Sequence, residues 1–590
     1  MRMRAIVVQI GVVAALFVAA PAMAQSFRVQ CPTSTITHPN VANNNTEPAY
    51  TGPTQWSSAS NTTYQKPTGN VNGAIKCQQI SGGDGYATMA DGTQTYMFSF
   101  GPLSGLADMA AGQPGTEYPG VFNTVDAAVQ PGDPATTDGA SDADSYIIGN
   151  GGKGANTGNA ASLRGASFTF NGAIGLTPDT DCQADNAAAR AAGTALPCPK
   201  LPANGLDGHV DPRQVMDVGV MNGNIPAPLM AIDEDDEFFL TLTNVGMIMR
   251  PDLFEQHTVH FHGYPNASSI YDGVPDASVA INIGGSFTYY YLSPDAGTYF
   301  WHCHITPPEH LQMGMVGQLY VRPRQNRTPQ ATSLYASLAL QQMDNRTACK
   351  TAAGAGGANL NADILCSNPL PAVNTGATHR TNKAGKPTMY AYNDGDGMTA
   401  YDVEYPIQIH GFDPNFHFVG MTFNAEGFVD MKDKYFLLNG RSYPDTVSQG
   451  PQGTQSSDGR MHYSQPMNAV INIPAGGKAL LRISDLDVTE YQTLASLGIR
   501  MHVIAYNAKM LRDQAGNNMD FYSNSITLGG GESLDVILDA SDTSTYKAGQ
   551  VFYLYTPNLD HLSNDAENFG GLMTEVHICN AVDPTSKACS

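Results

Sequence analysis

The chain has 590 residues, which is enough for two to four domains with sizeable cores. A net charge of −23 argues against nucleic acid or an anionic membrane surface as a partner, because both would repel an acidic protein. Only 14% of the residues are charged, whereas the chain holds 60 glycines and 37 prolines, a composition typical of short strands separated by turns.

The N-terminal residues 1–24 have the pattern of a signal peptide. Arg2 and Arg4 form a basic start, residues 5–20 are apolar, and residues 22–24 (Ala-Met-Ala) offer a small-residue cleavage site. No later stretch is apolar enough to span a bilayer. The sequence therefore predicts a periplasmic or secreted protein without a membrane span.

The cysteines agree with export to an oxidising compartment. Of the nine cysteines, Cys303 lies between two histidines and is interpreted as a metal ligand, which leaves an even number for disulfides. Proximity in sequence suggests these pairs: Cys31–Cys77, Cys182–Cys198, Cys349–Cys366 and Cys579–Cys589. Eight cysteines allow many other connectivities, so the pairing stays open.

Composition divides the rest of the chain into four segments. They are an N-terminal extension (25–83), a β domain (84–325) with a Gly/Ala-rich insertion at about 101–208, a linker (326–399) and a second β domain (400–590). Strand patterns in the first domain are an opening hairpin over 84–99 and runs at Glu237–Asn244, Ser286–Leu292 and Gly317–Arg322. Long amphipathic helical patterns are scarce, so the sequence predicts an all-β sandwich protein.

A cluster of metal-binding residue types lies in the first β domain. Six of the fifteen histidines fall between positions 257 and 310, in two groups about forty residues apart. One thiolate, two imidazoles and a weak axial thioether are the ligands of a mononuclear blue-copper centre, because they stabilise both copper oxidation states. We assign this centre to His257, Cys303, His310 and Met315. The spacing matches no structural zinc site.

The four remaining histidines of the cluster form two His-x-His pairs, His260 with His262 and His302 with His304. On a strand, residues i and i+2 face the same side, so each pair presents two imidazoles together. Cys303 then points to the opposite side from His302 and His304. The sequence predicts further copper bound at the pairs, with an electron path through Cys303 and its neighbours.

The segments His257–Gly263 and His302–Met315 resemble the copper motifs of the multicopper oxidase family. Their surroundings, such as Tyr271–Pro275 and Gly297–Trp301, are similar to the family's first cupredoxin domain, and Tyr435–Asp445 is similar to a later one. The resemblance implies tandem cupredoxin-like Greek-key β-sandwich domains. It also implies that a mononuclear copper takes electrons from phenols or metal ions, and that dioxygen is reduced at a histidine-bound cluster. It gives Asp272 a role in proton delivery.

The chain departs from the family pattern in two ways. The mononuclear site lies in the first domain, and there are two His-x-His pairs where the family's trinuclear cluster uses four. The second domain has isolated histidines in no such pair: His410, His417, His462, His502, His561 and His577. We interpret His410, His417, His502 and His561 as hydrogen-bonded structural residues.

These departures leave three interpretations of function open. The first is an oxidase, in which a homotrimer is attractive because neighbouring subunits could supply cluster ligands. The second is an enzyme resembling the copper nitrite reductases, although that family normally has Asp at the position of His260. The third is a blue-copper electron carrier or copper-binding protein without a complete cluster.

Overall fold

The computed structural model describes residues 35–39, 47–57, 66–102 and 223–590, with gaps at 248–249, 251–252, 254, 265–267, 284–285, 294, 341–368, 384, 422–426, 451, 456–460 and 584–586. The regular secondary structure of this part of the chain is mostly strands, in two sandwiches, which confirms the predicted fold class. None of its helices is both long and apolar enough to cross a membrane. The proposed signal peptide and most of the proposed insertion lie outside the described residues.

The first sandwich packs two mixed four-stranded sheets. Their strands are β3 (Ile75–Thr88), β4 (Gln94–Pro102), β5 (Met230–Asp233), β6 (Glu237–Gly246), β7 (His260–Phe261), β8 (Ser286–Leu292), β9 (Gly297–His302) and β10 (Val316–Arg322). One sheet has the order β4-β3-β6-β8 and the other β5-β10-β9-β7. The pairs β3–β6 and β5–β10 are parallel, and the other neighbours are antiparallel. The predicted hairpin and three strands are thus present. Residues 75–83, expected in the extension, form the start of β3.

The second sandwich repeats this strand pattern. One sheet has the order β14-β13-β18-β24-β20-β21, with β22 also paired to β20, and the other has the order β17-β26-β25-β19-β23. The strands are β13 (Val403–Phe412), β14 (Tyr435–Leu438), β17 (Ile471–Pro474), β18 (Lys478–Asp485), β19 (Gln492–Leu497), β20 (Met501–Tyr506), β21 (Lys509–Met510), β22 (Phe521–Ser523), β23 (Ser525–Leu528), β24 (Ser533–Asp539), β25 (Val551–Tyr555) and β26 (Met573–Cys579). In both sandwiches alternate side chains fill the core, as the period of two requires.

Short elements connect the sandwiches. Three two-stranded ribbons use β1 (Gln55–Trp56), β2 (Pro67–Gly69), β11 (Met389–Tyr390), β12 (Ala400–Tyr401), β15 (Gln452–Gln455) and β16 (Met461–Gln465). The α-helices of the described residues are α1 (Pro307–Gln312), α2 (Leu334–Ala339) and α3 (Pro414–Met421). A disulfide joins Cys579 to Cys589, which confirms that predicted pair. Each of the other predicted pairs includes a residue outside the described part.

The two sandwiches share a buried seam. An apolar cluster that includes Phe300, Leu311 and Phe412 crosses it. Polar contacts add to it: Thr298 Oγ1 donates to Asp535 Oδ1 at 2.6 Å. Strand β9, which leads to Cys303, lies against this seam, so the second sandwich borders the predicted metal-binding residues.

Candidate metal centre

The first group of donor atoms surrounds the buried thiol of Cys303, which follows the last residue of β9. Cys303 Sγ lies 3.3 Å from His310 Nδ1 and 4.0 Å from His257 Nδ1. Separations of this size are what two donors span when each lies about 2 Å from a shared ion. All three residues are fully buried, so the donors face one another in a dry interior.

The sequence around His310 folds to return this histidine to Cys303. Pro307 and Pro308 begin α1, positions at which proline fits the first helical turn. The backbone N–H of Met315 then donates to the carbonyl of His310 at 2.8 Å, and that of Cys303 donates to the carbonyl of Met315 at 3.1 Å. Met315 is fully buried in the same core cluster as Cys303, and its backbone carbonyl pairs with that residue.

Contacts around this pocket stabilise the ligand forms that bind metal. Glu255 Oε2 lies 3.3 Å from His310 Nε2, which favours a proton there and makes Nδ1, the nitrogen that faces Cys303, the atom at which a metal would replace a proton. The backbone N–H of Thr258 donates to Cys303 Sγ at 3.4 Å. Sequence reasoning missed Glu255, yet it lies two residues before His257, where the strand period of two could have indicated it.

The electrostatics of the pocket favour a thiolate. Burial by itself would raise the pKa of Cys303, but the charge of His310 and hydrogen bonds from His257 and His310 hold that pKa well below its usual value. For His310, burial would lower the pKa, while the Cys303 thiolate and Glu255 raise it to about 10. A deprotonated, buried sulfur is the form that ligates copper.

The other four histidines form a second group, the histidine cluster, on the opposite side of β9. Antiparallel pairing of β7 with β9 sets His260 directly across from His302. One ligand nitrogen from each of His260, His262 and His302 lies within 4.8 Å of the others. The ring of His304 lies 5.0 Å from that of His260.

Three rings of the cluster are oriented by backbone carbonyls. His260 Nδ1 lies 2.7 Å from the carbonyl of Asp272, His302 Nδ1 2.7 Å from that of Cys303, and His262 Nδ1 3.3 Å from that of Gly531. Each contact favours a proton on Nδ1, so Nε2 keeps its lone pair and can bind a metal. Sequence reasoning missed Gly531, which is in the second sandwich and carries no ligand-type side chain.

The resulting lone pairs converge. His262 Nε2 and His302 Nε2 lie 3.0 Å apart, and two acceptor nitrogens at this distance repel unless a cation lies beside them. Burial strongly lowers the pKa of His302, while partial burial and the neighbouring His260 lower the pKa of His262, so both rings favour the neutral form. Neutral, converging imidazoles are the chemistry of a copper site, and the donor set fits that metal.

Asp272 lies at the edge of the cluster. Its carboxylate Oδ2 is 3.7 Å from His260 Nδ1, and the side chain is partly exposed. The position of this carboxylate between solvent and the histidines is compatible with the predicted role in proton delivery.

Each predicted ligand has a counterpart in the second sandwich. Thr556 corresponds to Cys303, because its N–H donates to the carbonyl of Leu572 at 2.9 Å as that of Cys303 does to Met315. The N–H of Leu572 in turn donates to the carbonyl of His561 at 3.0 Å, the bond that Met315 makes to His310. When the pairing of β19 with β25 is aligned with that of β7 with β9, Gln492 occupies the position equivalent to His257.

These counterparts have lost the soft ligands. A hydroxyl replaces the thiol, an amide replaces one imidazole, and an isobutyl group replaces the thioether, while His561 remains and its Nδ1 lies 2.9 Å from Gln492 Oε1. The His-x-His pairs correspond to Ala495 with Leu497 and to Tyr555 with Pro557. The histidines predicted to be structural have other contacts: His410, His417, His502 and His561 each lie within hydrogen-bond distance of a carbonyl or side chain.

Gly82 makes room for His257. A Cβ added to Gly82 would lie 2.5 Å from Cδ2 of that ring, so the ring must move if the residue gains a side chain. We expect Gly82→Ala to weaken copper binding at Cys303 by about 10–100-fold, the range typical of changes beside a ligand. Competition with a chelator measures this, and Ser81→Ala on the opposite face of β3 is the control. Equal affinities in both variants would contradict it.

The two sandwiches and the thiolate–imidazole pocket define a copper protein of the cupredoxin class. Residues 207–326 match the family model described as multicopper oxidase. Local matches include the laccase abr2 of Aspergillus fumigatus (33% identical, covering 18% of this chain and 17% of the relative) and the multicopper oxidase MmcO of Mycobacterium tuberculosis (36%, covering 14% of each). A copper-containing nitrite reductase of Rhizobium meliloti is 33% identical over 18% of this chain and 26% of the relative.

Among solved structures, the blue copper oxidase from Nitrosomonas europaea is 18% identical, covers 60% of this chain and 77% of its own, and has a TM-score of 0.38. The matched region spans about a sixth of the length of the first curated relatives, 17% in each case. The similarity to the multicopper oxidase family thus lies in residues 207–326.

Proposed function

We propose that the protein is a copper-dependent oxidase. It oxidises a phenol or a low-valent metal ion at the mononuclear site of His257, Cys303, His310 and Met315, and passes the electrons to dioxygen at the histidine cluster. The observation that carries the proposal is the placement of both donor groups on the two sides of one strand, where Cys303 and His302 are adjacent residues.

The chain's own residues would divide the work between the two sites. Copper bound at them supplies one-electron transfer and the reduction of dioxygen. Cys303 and His302 provide a path of covalent bonds from one site to the other. Asp272 holds a proton between solvent and His260, at a carboxylate oxygen 3.7 Å from the ring nitrogen. Since water formation consumes four protons and four electrons per dioxygen, a relay of this kind is needed.

A nitrite-reductase-like enzyme is the second candidate. It is supported by the three-histidine group of the cluster, which suffices for one copper, and by the absence of a His-x-His pair among the described residues of the second sandwich. His260 and His304 favour the oxidase instead. A single copper held by three imidazoles of the histidine cluster would leave one of these two without a metal.

Copper content and turnover distinguish these functions. About four coppers per chain with oxygen uptake would establish the oxidase, whereas about two with nitrite reduction would establish the alternative. A single blue copper without either activity would mean an electron carrier and overturn both enzyme proposals.

His304 provides a more local test. We expect His304→Ala to leave the visible colour of the Cys303 site intact and to reduce oxygen uptake at least tenfold, since it removes a cluster imidazole but no ligand of the thiolate copper. His502→Ala is the control, because His502 pairs with Asp520 at 2.6 Å in the second sandwich. Loss of colour together with oxygen uptake would contradict the assignment of His304 to a separate site.

We also propose export and self-association. Periplasmic or secreted location is supported by the Cys579–Cys589 disulfide and by the basic and apolar pattern of residues 1–24. Self-association is supported by His262, which is a member of the cluster and is exposed. A neighbouring copy of the chain could contribute donors there, in a homotrimer or another closed oligomer.

A further inference from the structure

The segment that joins two ligands of the mononuclear site is held by the second sandwich. This ligand loop, residues 307–314, consists of α1 and the turn that follows it. Gln312 at the end of α1 is fully buried. Its Nε2 donates to Asp433 Oδ1 at 2.9 Å, and its Oε1 accepts the backbone N–H of Asp413 at 2.9 Å. Both partners belong to the second sandwich, so one loop side chain is fixed at both of its polar atoms.

Two buried histidines hold the backbone of the same loop. His410, on β13, has Nε2 2.8 Å from the carbonyl oxygen of Leu311. His417, on α3, has Nε2 3.0 Å from the carbonyl oxygen of Gln312. Each histidine is 1% exposed, so these contacts are shielded from water. These are consecutive carbonyls at the C-terminal end of α1, where few helical N–H groups remain as partners. The carbonyl of Leu311 also accepts the backbone N–H of Gly314 at 2.9 Å.

The partners of the loop are themselves fixed. The Asp433 carboxylate also accepts the hydroxyl of Thr489, and Asp413 Oδ2 accepts the backbone N–H of Lys432 at 2.8 Å. From the first sandwich, Ser99 Oγ donates to the carbonyl oxygen of Gly314 at 2.6 Å. The loop is therefore bound on both sides, to a framework that does not depend on the metal.

The positions of His310 and Met315 depend on this loop. Met315 is the weak axial ligand of the proposed site, and the axial interaction tunes the reduction potential of a blue copper. A loop that could shift by a few tenths of an ångström would change that interaction, because ligand geometry is only as precise as the residues that support it.

We infer that Gln312, His410 and His417 are positioning residues for the mononuclear copper, and that the second sandwich sets the geometry and reduction potential of a copper bound by the first. This inference rests on the proposed copper site. It gives the second sandwich a function although its own counterparts of the ligands lack a thiol.

The test compares copper-loaded full-length variants by redox titration, visible absorption and copper hyperfine splitting. His410→Phe removes one loop contact, and Gln312→Met removes two while leaving the second sandwich unchanged in sequence. We expect both to shift the potential and the hyperfine splitting at full copper loading. His410→Gln, which keeps a donor, should return both values toward wild type. His561→Phe is the matched control, a buried second-sandwich histidine at the position equivalent to His310, and should shift neither.

The outcomes separate the two proposals. Unchanged potential and spectra in Gln312→Met, with circular dichroism like wild type, would overturn the positioning role while leaving the copper site intact. An equal shift in His561→Phe would also overturn it, because the effect would then be a general loss of packing. A wild-type protein without a blue signal would overturn the proposed function itself and, with it, this inference.

Discussion

Cys303→Ser is expected to abolish the intense visible absorption and to lower the copper content by one per chain. The thiolate is the soft ligand that defines the mononuclear site, and a serine hydroxyl stays protonated and binds cuprous copper poorly. The side chains are similar in size, so the buried pocket should keep its shape. Absorption spectroscopy and metal analysis on the purified variant measure both effects.

The second sandwich supplies the control for this experiment. Thr556→Ser alters the counterpart of Cys303, a fully buried position with the same backbone hydrogen bond, and should leave the colour unchanged. Blue absorption that survives in Cys303→Ser would show that the copper is bound elsewhere and would refute the assignment of the site. Oxygen uptake should fall in Cys303→Ser as well, because electrons would no longer reach the histidine cluster.

Glu404→Gln is expected to destabilise the protein by about 3–5 kcal/mol, the typical cost of removing one partner from a buried ion pair. Glu404 Oε1 accepts from Arg322 Nε at 2.9 Å, and its Oε2 accepts from Arg482 Nε at 3.0 Å. Both guanidinium groups are buried, so the amide leaves two charges with too little compensation. Urea denaturation followed by circular dichroism measures the change.

Glu404 is also expected to make the stability of the protein depend on pH in the acid range. Burial would raise the pKa of Glu404, but Arg322 and Arg482 lower it from 4.5 to about 2. A carboxyl group whose pKa is lower in the folded than in the unfolded protein stabilises the fold fully at pH values above its unfolded pKa. Its contribution is therefore present above pH 4.5 and is lost as the pH falls toward 2.

A partly exposed ion pair shows whether burial is the cause. Asp539 Oδ2 lies 2.8 Å from Lys478 Nζ, with the two side chains 27% and 35% exposed. Asp539→Asn should cost at most about 1 kcal/mol, as surface ion pairs do. Similar losses in Asp539→Asn and Glu404→Gln would contradict the proposed importance of the buried network at the seam.

Several features of the fold and site could be predicted from local sequence. The strand period identified three strands of the first sandwich, and the bounds of one, Ser286–Leu292, agree at both ends. The ligand-type residues could be found because Cys303, His310 and Met315 are close neighbours in the chain. The start of the first sheet was less predictable, because residues up to 83 were expected in the extension. Gly82 and Gly83 instead lie within β3, where His257 occupies the space of the side chain that Gly82 lacks.

The sequence by itself determined which residues are predicted to bind copper, because ligand identity depends on residue type and the alternation of side chains on a strand is a local property of the backbone. Only the tertiary structure decided how those atoms meet and what holds them. Pairing of β7 with β9 brought His260 to His302, and the contacts of Gly531 with His262 and of His410 with Leu311 cross between sandwiches. The two contacts between the sandwiches join residues 269 and 99 positions apart. They follow from how complementary surfaces pack rather than from any spacing along the chain.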